Sequence, residues 1–134
     1  MLNRVQYLLA AALPALVACA SSSPEGEEGP NPYSNVITRA ELQDVGVRNA
    51  FEAVERLRPR WLTVRGMRSF NVETEIVVFQ DRMFLGGLDL LRTIGIEGIY
   101  ELRYLDGPTA SATLPGLGGR HVEGAIVIYM SPPG

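Results

Sequence analysis

The chain has a single cysteine, Cys19, and its position decides which residues are available to fold. It follows an almost unbroken apolar stretch, Val5–Val17, which itself follows Arg4. A stretch of this length after a basic residue is typical of a secretory signal, and it is shorter than the roughly 20 residues of a membrane-spanning helix. Because there is no second cysteine, no intramolecular disulfide can form. A domain exported in this way has to be held together by its hydrophobic core alone.

The end of the apolar stretch, Leu16-Val17-Ala18-Cys19, resembles the lipobox of bacterial lipoproteins. The resemblance implies that the chain is cut before Cys19, that the thiol carries a lipid, and that the new amino terminus receives a fatty acid such as palmitate. Several acyl chains, at about 0.8 kcal/mol per buried methylene, give a durable membrane anchor. An ordinary buried cysteine is the alternative, but the polar segment that follows contains nothing to bury it. Ala20 replaces the aspartate that signals inner-membrane retention in the family, which favours a lipid-anchored protein of the outer membrane.

The mature chain is acidic and has the size of one domain. Removal of residues 1–18 leaves 116 residues with 11 basic and 15 acidic side chains, because the leader holds one of the 12 basic residues and none of the acidic ones. The formal net charge of the mature chain is therefore −4. Nucleic acid is not expected as a partner, because both the charge and the compartment are wrong for it.

Residues 19–33 are predicted to form the lipidated cysteine and a disordered acidic tether. Serine, proline, glycine and glutamate dominate this segment, and such a composition cannot bury enough apolar surface to fold. A flexible spacer of this length holds a domain roughly 20 Å from the lipid. The glutamates within it lack the ligand spacing of a calcium loop. The folded domain is then predicted at residues 34–130, followed by a C-terminal tail at residues 131–134.

Two helix starts are marked by capping signals. Thr38 is followed three residues later by Glu41, and Asn49 is followed in the same way by Glu52. In a capping box the first side chain accepts from the backbone of the third helical residue, whose own side chain bonds the backbone of the cap. The boxes predict one helix that begins at residue 39 and ends at residue 44 or 45, and a second over residues 50–57, which Pro59 prevents from continuing.

After Pro59 the apolar pattern changes from helical to alternating. The strands at 75–79 and 83–85 are predicted to form a hairpin, in which Asp81-Arg82 is a poor turn because arginine tolerates positive φ badly. Short helices and hairpins without regular βαβ alternation indicate a small α+β domain with a mixed sheet. The full pattern predicts strands at 35–37, 61–64, 75–79, 83–85, 99–105 and 124–129, a short helix at 88–94 and a helical turn at 109–114.

The order of these elements resembles the plug domain of TonB-dependent outer-membrane receptors. Seven segments carry the resemblance, in the family's order: 36–41, 49–59, 64–66 (the family's "(I/V)RG"), 76–81 ("VYVDG"), 96–103 ("IESIEVLKG"), 109–112 and 124–128. The resemblance implies a plug-like α+β fold and contact with other proteins. A receptor continues into a barrel, for which the residues after Tyr129 leave no room, and the tether shows no TonB box. Transport is therefore not expected.

No recognisable catalytic, metal-binding or cofactor motif is present in the sequence. His121 is the only histidine, and Glu123 lies two residues away; alternation along an extended segment puts both on one face without making a site. The glycine-rich residues 117–120 lack the Gly-Lys-Ser/Thr ending of a phosphate-binding loop. We therefore expect no enzymatic activity and no cofactor.

Arginines clustered around a tryptophan form the best candidate for contact with a partner. Arg58, Arg60, Trp61 and Arg65 lie within eight residues. Guanidinium groups bind carboxylates and acidic head groups well, whereas the alternative is a solvated basic face.

Taken together, these patterns predict a lipid-anchored protein of the cell envelope whose plug-like domain is a non-catalytic protein-interaction module. A lipoprotein that captures a ligand in the periplasm or at the cell surface is the alternative. A deep apolar pocket with convergent polar groups favours the ligand-capturing lipoprotein. A filled core with an exposed sheet edge favours the interaction module.

Overall fold

The computed structural model describes residues 31–64 and 74–134. The predicted leader, the lipid attachment at Cys19, the tether up to residue 30, Arg65 and the predicted (I/V)RG glycine, Gly66, lie outside the described residues. Within the described ranges, no helix has the length and apolar character needed to cross a membrane.

Within residues 31–64 and 74–134, five strands form one mixed sheet. They are β1 (Val36–Thr38), β2 (Glu75–Gln80), β3 (Met83–Gly87), β4 (Glu101–Asp106) and β5 (Val122–Tyr129). Their order across the sheet is β1-β4-β5-β2-β3. Every neighbouring pair is antiparallel except β2 and β5, which are parallel. The predicted small α+β fold with a mixed sheet is confirmed.

Short helical segments cover both faces of this sheet. The α-helices are α1 (Arg39–Asp44), α2 (Ala50–Leu57) and α3 (Gly107–Thr113), and 3-10 turns lie at Pro59–Leu62, Leu88–Thr93 and Ile96–Gly98. The first two α-helices have the bounds that the capping signals predict.

The capping contacts show why these helices begin where they do. The Glu41 N–H donates to Thr38 Oγ1 at 3.3 Å and the Thr38 N–H donates to Glu41 Oε2 at 2.8 Å, so the first capping box is complete. Asn49 accepts from the Glu52 N–H at 3.0 Å, as predicted. The Glu52 carboxylate, however, accepts from the N–H of Arg48 at 3.1 Å rather than from that of Asn49. In the second box, the glutamate side chain therefore bonds the backbone of the residue before the cap instead of the backbone of the cap itself.

Two hydrophobic clusters lie on the two faces of the sheet. β2 and β5 read as continuous apolar runs because both of their faces are buried, which is typical of central parallel strands. The face towards α1 and α2 carries Ile76, Val78, Ile126 and Ile128, and the face towards α3 carries Val77, Phe79, Ala125 and Val127. The sheet is thus the middle layer of three.

Three local predictions are wrong. The predicted strand at 61–64 is instead the end of a 3-10 turn, because Pro59 occupies its first position and fixes φ at a helical value. β3 continues through Gly87, because an irregularity in the β2–β3 register accommodates the glycines. Positive φ in the hairpin falls on Asp81, at 52°, and not on Arg82; aspartate accepts this conformation better than most residues.

Two glycines allow neighbouring elements to approach closely. Tyr104 stacks on Trp61 with ring centroids 5.8 Å apart, and it covers Gly124, where a Cβ would lie 2.6 Å from Tyr104 Cζ. At Gly107, the first residue of α3, a Cβ would overlap the carbonyl oxygen of Val122 in β5. The Gly107 contact holds α3 tightly against β5, over the second cluster, whereas the Gly124 contact lets Tyr104 of β4 lie over β5 on the first.

Candidate functional site

Arg58, the C-cap residue of α2, lies inside the domain with 1% of its side chain exposed. Its guanidinium has four acceptors: Nε donates to Ser34 O at 3.2 Å, Nη1 to Leu57 O at 3.0 Å, and Nη2 to Val36 O at 2.9 Å and Glu41 Oε1 at 2.6 Å. A buried cation is costly unless its donors are paired, and these acceptors pair them. Arg58 therefore joins the end of α2 to β1 and α1.

The outer edge of β1 is closed by side chains. The Val36 N–H donates to Ser34 Oγ at 3.1 Å, and Val36 O accepts from both the Ser34 hydroxyl and Arg58. The Glu41 carboxylate accepts from the Thr38 N–H. Because these outward backbone groups are already bonded, this edge offers little for pairing with a further strand.

Glu41 is the titratable group at the closed edge. Burial raises the pKa of its carboxyl, but the hydrogen bond from the Thr38 backbone and the hydrogen bond and charge of Arg58 together outweigh burial. The pKa of Glu41 therefore lies below its usual value of 4.5.

We expect the free energy of unfolding to decrease as the pH falls below about 4.5. Because the pKa of Glu41 is lower in the folded state, the unfolded state takes up the proton first as the pH falls. The stabilisation is complete above the unfolded pKa and is lost as the pH falls through the folded pKa. Urea unfolding between about pH 7 and pH 3 measures this loss.

Glu41→Gln is the matched variant for this measurement, and it should lose less stability over the same pH range. Asp106, whose pKa is lowered by the backbone hydrogen bond from Thr109, titrates in both proteins and cancels in the comparison. Identical pH dependence in the two proteins would contradict the role assigned to Glu41.

Arg60 binds the chain segment that leads into β1. Its Nε donates to Pro32 O at 3.2 Å, and its Nη2 donates to Tyr33 O at 2.6 Å, Ser34 O at 3.0 Å and Asn35 Oδ1 at 2.8 Å. The side chain of Tyr33 itself is 82% exposed. Arg60 therefore fixes the point at which the predicted tether joins the folded domain.

Trp61 completes the set of predicted contact residues that the structure describes. It is fully buried in the first cluster, and its indole Nε1 has no hydrogen-bond partner among the described residues. The burial of Trp61 and Arg58 leaves neither side chain available at the surface. A partner contact at Arg60 stays a prediction, and Arg65 lies outside the described residues.

The opposite edge of the sheet, β3, is open in the sense that no other strand of the described residues pairs with its outer side. Met83 is 58% exposed and Phe84 is 37% exposed. Phe84 packs edge-on against Phe79, with ring centroids 5.5 Å apart. Alternate residues of an antiparallel edge strand direct their backbone groups away from the sheet, and no side chain in residues 31–64 or 74–134 bonds the backbone of β3. Sequence reasoning missed this edge: the sequence predicts a strand at 83–85 after the turn, but it does not show which strands are edges.

Two arginines flank the open edge. Arg120 lies with its guanidinium 5.0 Å from the centre of the Phe84 ring, and its Nη1 is 3.7 Å from Glu75 Oε1. Arg82, in the turn before β3, is exposed and has no hydrogen-bond or ion-pair partner among the described residues. The edge therefore combines apolar side chains with positive charge.

Two clefts open on the surface of the described domain. One, of about 300 Å³, lies between α1 and the 3-10 turn at Ile96–Gly98. The other, of about 390 Å³, lies between the β2–β3 turn, Tyr129 and residues 131–134. Both are open to solvent rather than enclosed.

The remaining candidate residues do not come together in a reaction centre within the described part of the chain. His121 is exposed at the end of the glycine-rich segment, whose Leu117 is buried in the second cluster. Within residues 31–64 and 74–134, no three His, Cys, Asp or Glu side chains converge in a way that would hold a metal ion. Comparison with models of known protein families, with curated proteins and with solved structures found no match.

Proposed function

We propose that this protein is a lipid-anchored, non-catalytic interaction module of the cell envelope, which docks to a partner protein through the open edge of β3. The proposal rests on one observation: the two edges of the sheet differ in whether their outward backbone groups are bonded. Side chains of Ser34, Arg58 and Glu41 bond the outward backbone of β1. By contrast, no described strand pairs with the outer side of β3, which carries exposed Met83 and Phe84.

Proteins normally protect the exposed edges of their sheets, because the unpaired backbone groups there can form hydrogen bonds with other chains. Peptide recognition by strand addition uses such an edge: main-chain hydrogen bonds supply affinity and alternate side chains supply specificity. β3 has five residues, against three in β1, which is long enough for several added hydrogen bonds. The filled core on both faces of the sheet also favours an interaction module over a ligand-capturing lipoprotein.

The position of the tether suits this docking. Arg60 holds residues 32–35 beside β1, so a chain attached to lipid through Cys19 enters the domain at the closed edge. β3 lies four strand spacings away, or about 19 Å at about 4.8 Å per strand. The proposed attachment and the proposed docking edge are therefore on opposite sides of the sheet.

The charge at β3 indicates the kind of strand that would be added. Arg82, which has no hydrogen-bond or ion-pair partner among the described residues, favours acidic side chains in the partner, and Met83 and Phe84 favour apolar ones. We expect an extended segment of another envelope protein, in which apolar and acidic residues alternate. Contact with other proteins is also what the plug-like pattern of the sequence implies.

The attachment is tested by Cys19→Ala. We expect this variant to accumulate as an uncut precursor without lipid, and the wild-type protein in cells treated with globomycin, which blocks the signal peptidase, to accumulate as an uncut precursor that still carries lipid on Cys19. Labelling with a radioactive fatty acid, together with the size of the product, measures both changes. Unchanged processing and unchanged membrane association of Cys19→Ala would contradict the lipid anchor.

The docking edge is tested by photo-crosslinking in intact cells. A p-benzoylphenylalanine at position 84 is expected to give one discrete adduct with an envelope protein, whereas the same probe at Tyr33, beside the closed edge, is not. Adding Met83→Lys to the probe at 84 should reduce the adduct about tenfold, which corresponds to about 1.4 kcal/mol of binding free energy. Gln43→Lys, an exposed substitution on α1, is the matched control and should leave the adduct unchanged. Equal adducts from positions 33 and 84, or an adduct insensitive to Met83→Lys, would reject β3 as the docking edge.

A further inference from the structure

The cleft beside α1 is separate from the β3 edge, and ligand binding in it would not depend on the proposed docking. Its two walls come from different elements. Arg39, Leu42 and Gln43 form the wall from α1, and Ile96, Glu97 and Ile99 form the wall from the 3-10 turn and the residue after it. Residues three and four apart share one face of a helix, which is why these three α1 side chains line one wall.

The floor of the cleft is aliphatic. Leu42 and Ile99 are each only 1% exposed, and Ile96 packs against the same hydrophobic cluster. These side chains are fixed by the core of the domain, so the floor does not have to be organised when a ligand binds. An aliphatic group placed on it would leave water, which is favourable by about 25 cal/mol per Å² of apolar surface.

The rim of the cleft carries opposite charges that form no ion pair with any described residue. The Arg39 guanidinium and the Gln43 amide come from one wall, and the Glu97 carboxylate comes from the other. None of the three side chains makes a hydrogen bond or ion pair with a described residue, and Arg39 and Glu97 do not pair with each other. Glu41, on the same short helix, is by contrast fully engaged by Thr38 and Arg58.

We propose that this cleft binds a small zwitterionic molecule with an aliphatic side chain, of the class of the branched-chain amino acids. Its carboxylate would accept hydrogen bonds from Arg39 and its ammonium group would donate to Glu97, both as charge-assisted bonds. Its side chain would lie on the half-buried Ile96, with the buried Leu42 and Ile99 beneath it. The volume of about 300 Å³ is at the lower end of the range for ligand sites, about 300–1,000 Å³, and admits a molecule the size of one amino acid.

Isothermal titration of the full-length protein in detergent tests this proposal with three probes. L-leucine carries both charges, L-leucinamide lacks the carboxylate, and 4-methylpentanoate lacks the ammonium group. We expect leucine to bind about tenfold more tightly than either of the other two. Absence of leucine binding up to ~10 mM, or equal affinity for leucine and 4-methylpentanoate, would overturn the assignment.

Substitutions of the lining residues test whether leucine binds in the cleft. Arg39→Gln should weaken leucine about tenfold and abolish the preference for leucine over leucinamide, and Glu97→Gln should abolish the preference over 4-methylpentanoate. Arg48→Gln, an exposed arginine outside the cleft lining, is the matched control and should bind leucine as the wild type does. An equal loss in Arg48→Gln and Arg39→Gln would overturn the site. Met83→Lys should bind leucine normally, which separates this inference from docking at β3.

Discussion

Replacing Arg58 with methionine is expected to lower the free energy of unfolding by about 3–5 kcal/mol, which is the usual cost of removing one partner of a buried ion pair. Methionine fills much of the same space but removes the side-chain donor to Leu57 O and one of the two side-chain donors to each of Ser34 O and Val36 O. It also leaves the Glu41 carboxylate without its cation. Because single domains have only about 5–15 kcal/mol of stability, the variant should unfold at a much lower urea concentration.

The matched control is Arg56→Met, in the last turn of α2. Arg56 is exposed and makes one hydrogen bond, to Val45 O at 3.2 Å, so its loss should change stability by no more than about 0.5 kcal/mol. Adding Glu41→Gln to Arg58→Met should recover part of the loss, because no uncompensated carboxylate remains. Equal urea midpoints for Arg56→Met and Arg58→Met would show that the buried guanidinium does not hold β1, α1 and α2 together.

Gly107→Ala is expected to cost about 3 kcal/mol, the upper part of the usual range for overpacking. The added methyl group would overlap the Val122 carbonyl oxygen and lie 3.3 Å from that of Glu123. Both atoms belong to the backbone of the central strand β5, which cannot yield as a flexible side chain does. The loss exceeds the gain in helix propensity of about 1 kcal/mol that alanine brings to α3.

Gly87→Ala is the control for this substitution. A Cβ at Gly87 would have no atom within 4 Å, and its φ of −87° suits any residue. The change should therefore stay within about 0.5 kcal/mol of the wild type, as measured by the urea midpoint at constant m-value. If Gly107→Ala and Gly87→Ala were equally stable, the close packing of α3 on β5 would be wrong.

The parts of the fold that the sequence predicts are those determined by neighbouring residues. Thr38 and Glu41 are three positions apart, so their capping box can be recognised without knowledge of the rest of the chain, and α1 has the predicted bounds. The same holds for the hairpin of β2 and β3. β5 is apolar at consecutive positions, as a strand buried on both faces is, and it lies at the centre of the sheet order.

The parts that the sequence does not predict depend on residues distant in the chain. The arginines around Trp61 look like an exposed basic run, but Arg58 bonds Ser34 and Val36, more than 20 positions earlier. Whether an arginine after a helix points to solvent or into the core is decided by the strand that docks there. The difference between the β1 and β3 edges has the same origin, because strand order follows from pairings such as β1 with β4.

The strand order also determines when the domain can form during synthesis. β5 lies between β4 and β2 and is the last of the five described strands in the chain. Before Val122–Tyr129 leave the ribosome, only the β1–β4 and β2–β3 ladders are available, and two-stranded ladders are marginal in water. The position of β5 thus postpones assembly of the sheet until Val122–Tyr129 have been synthesised.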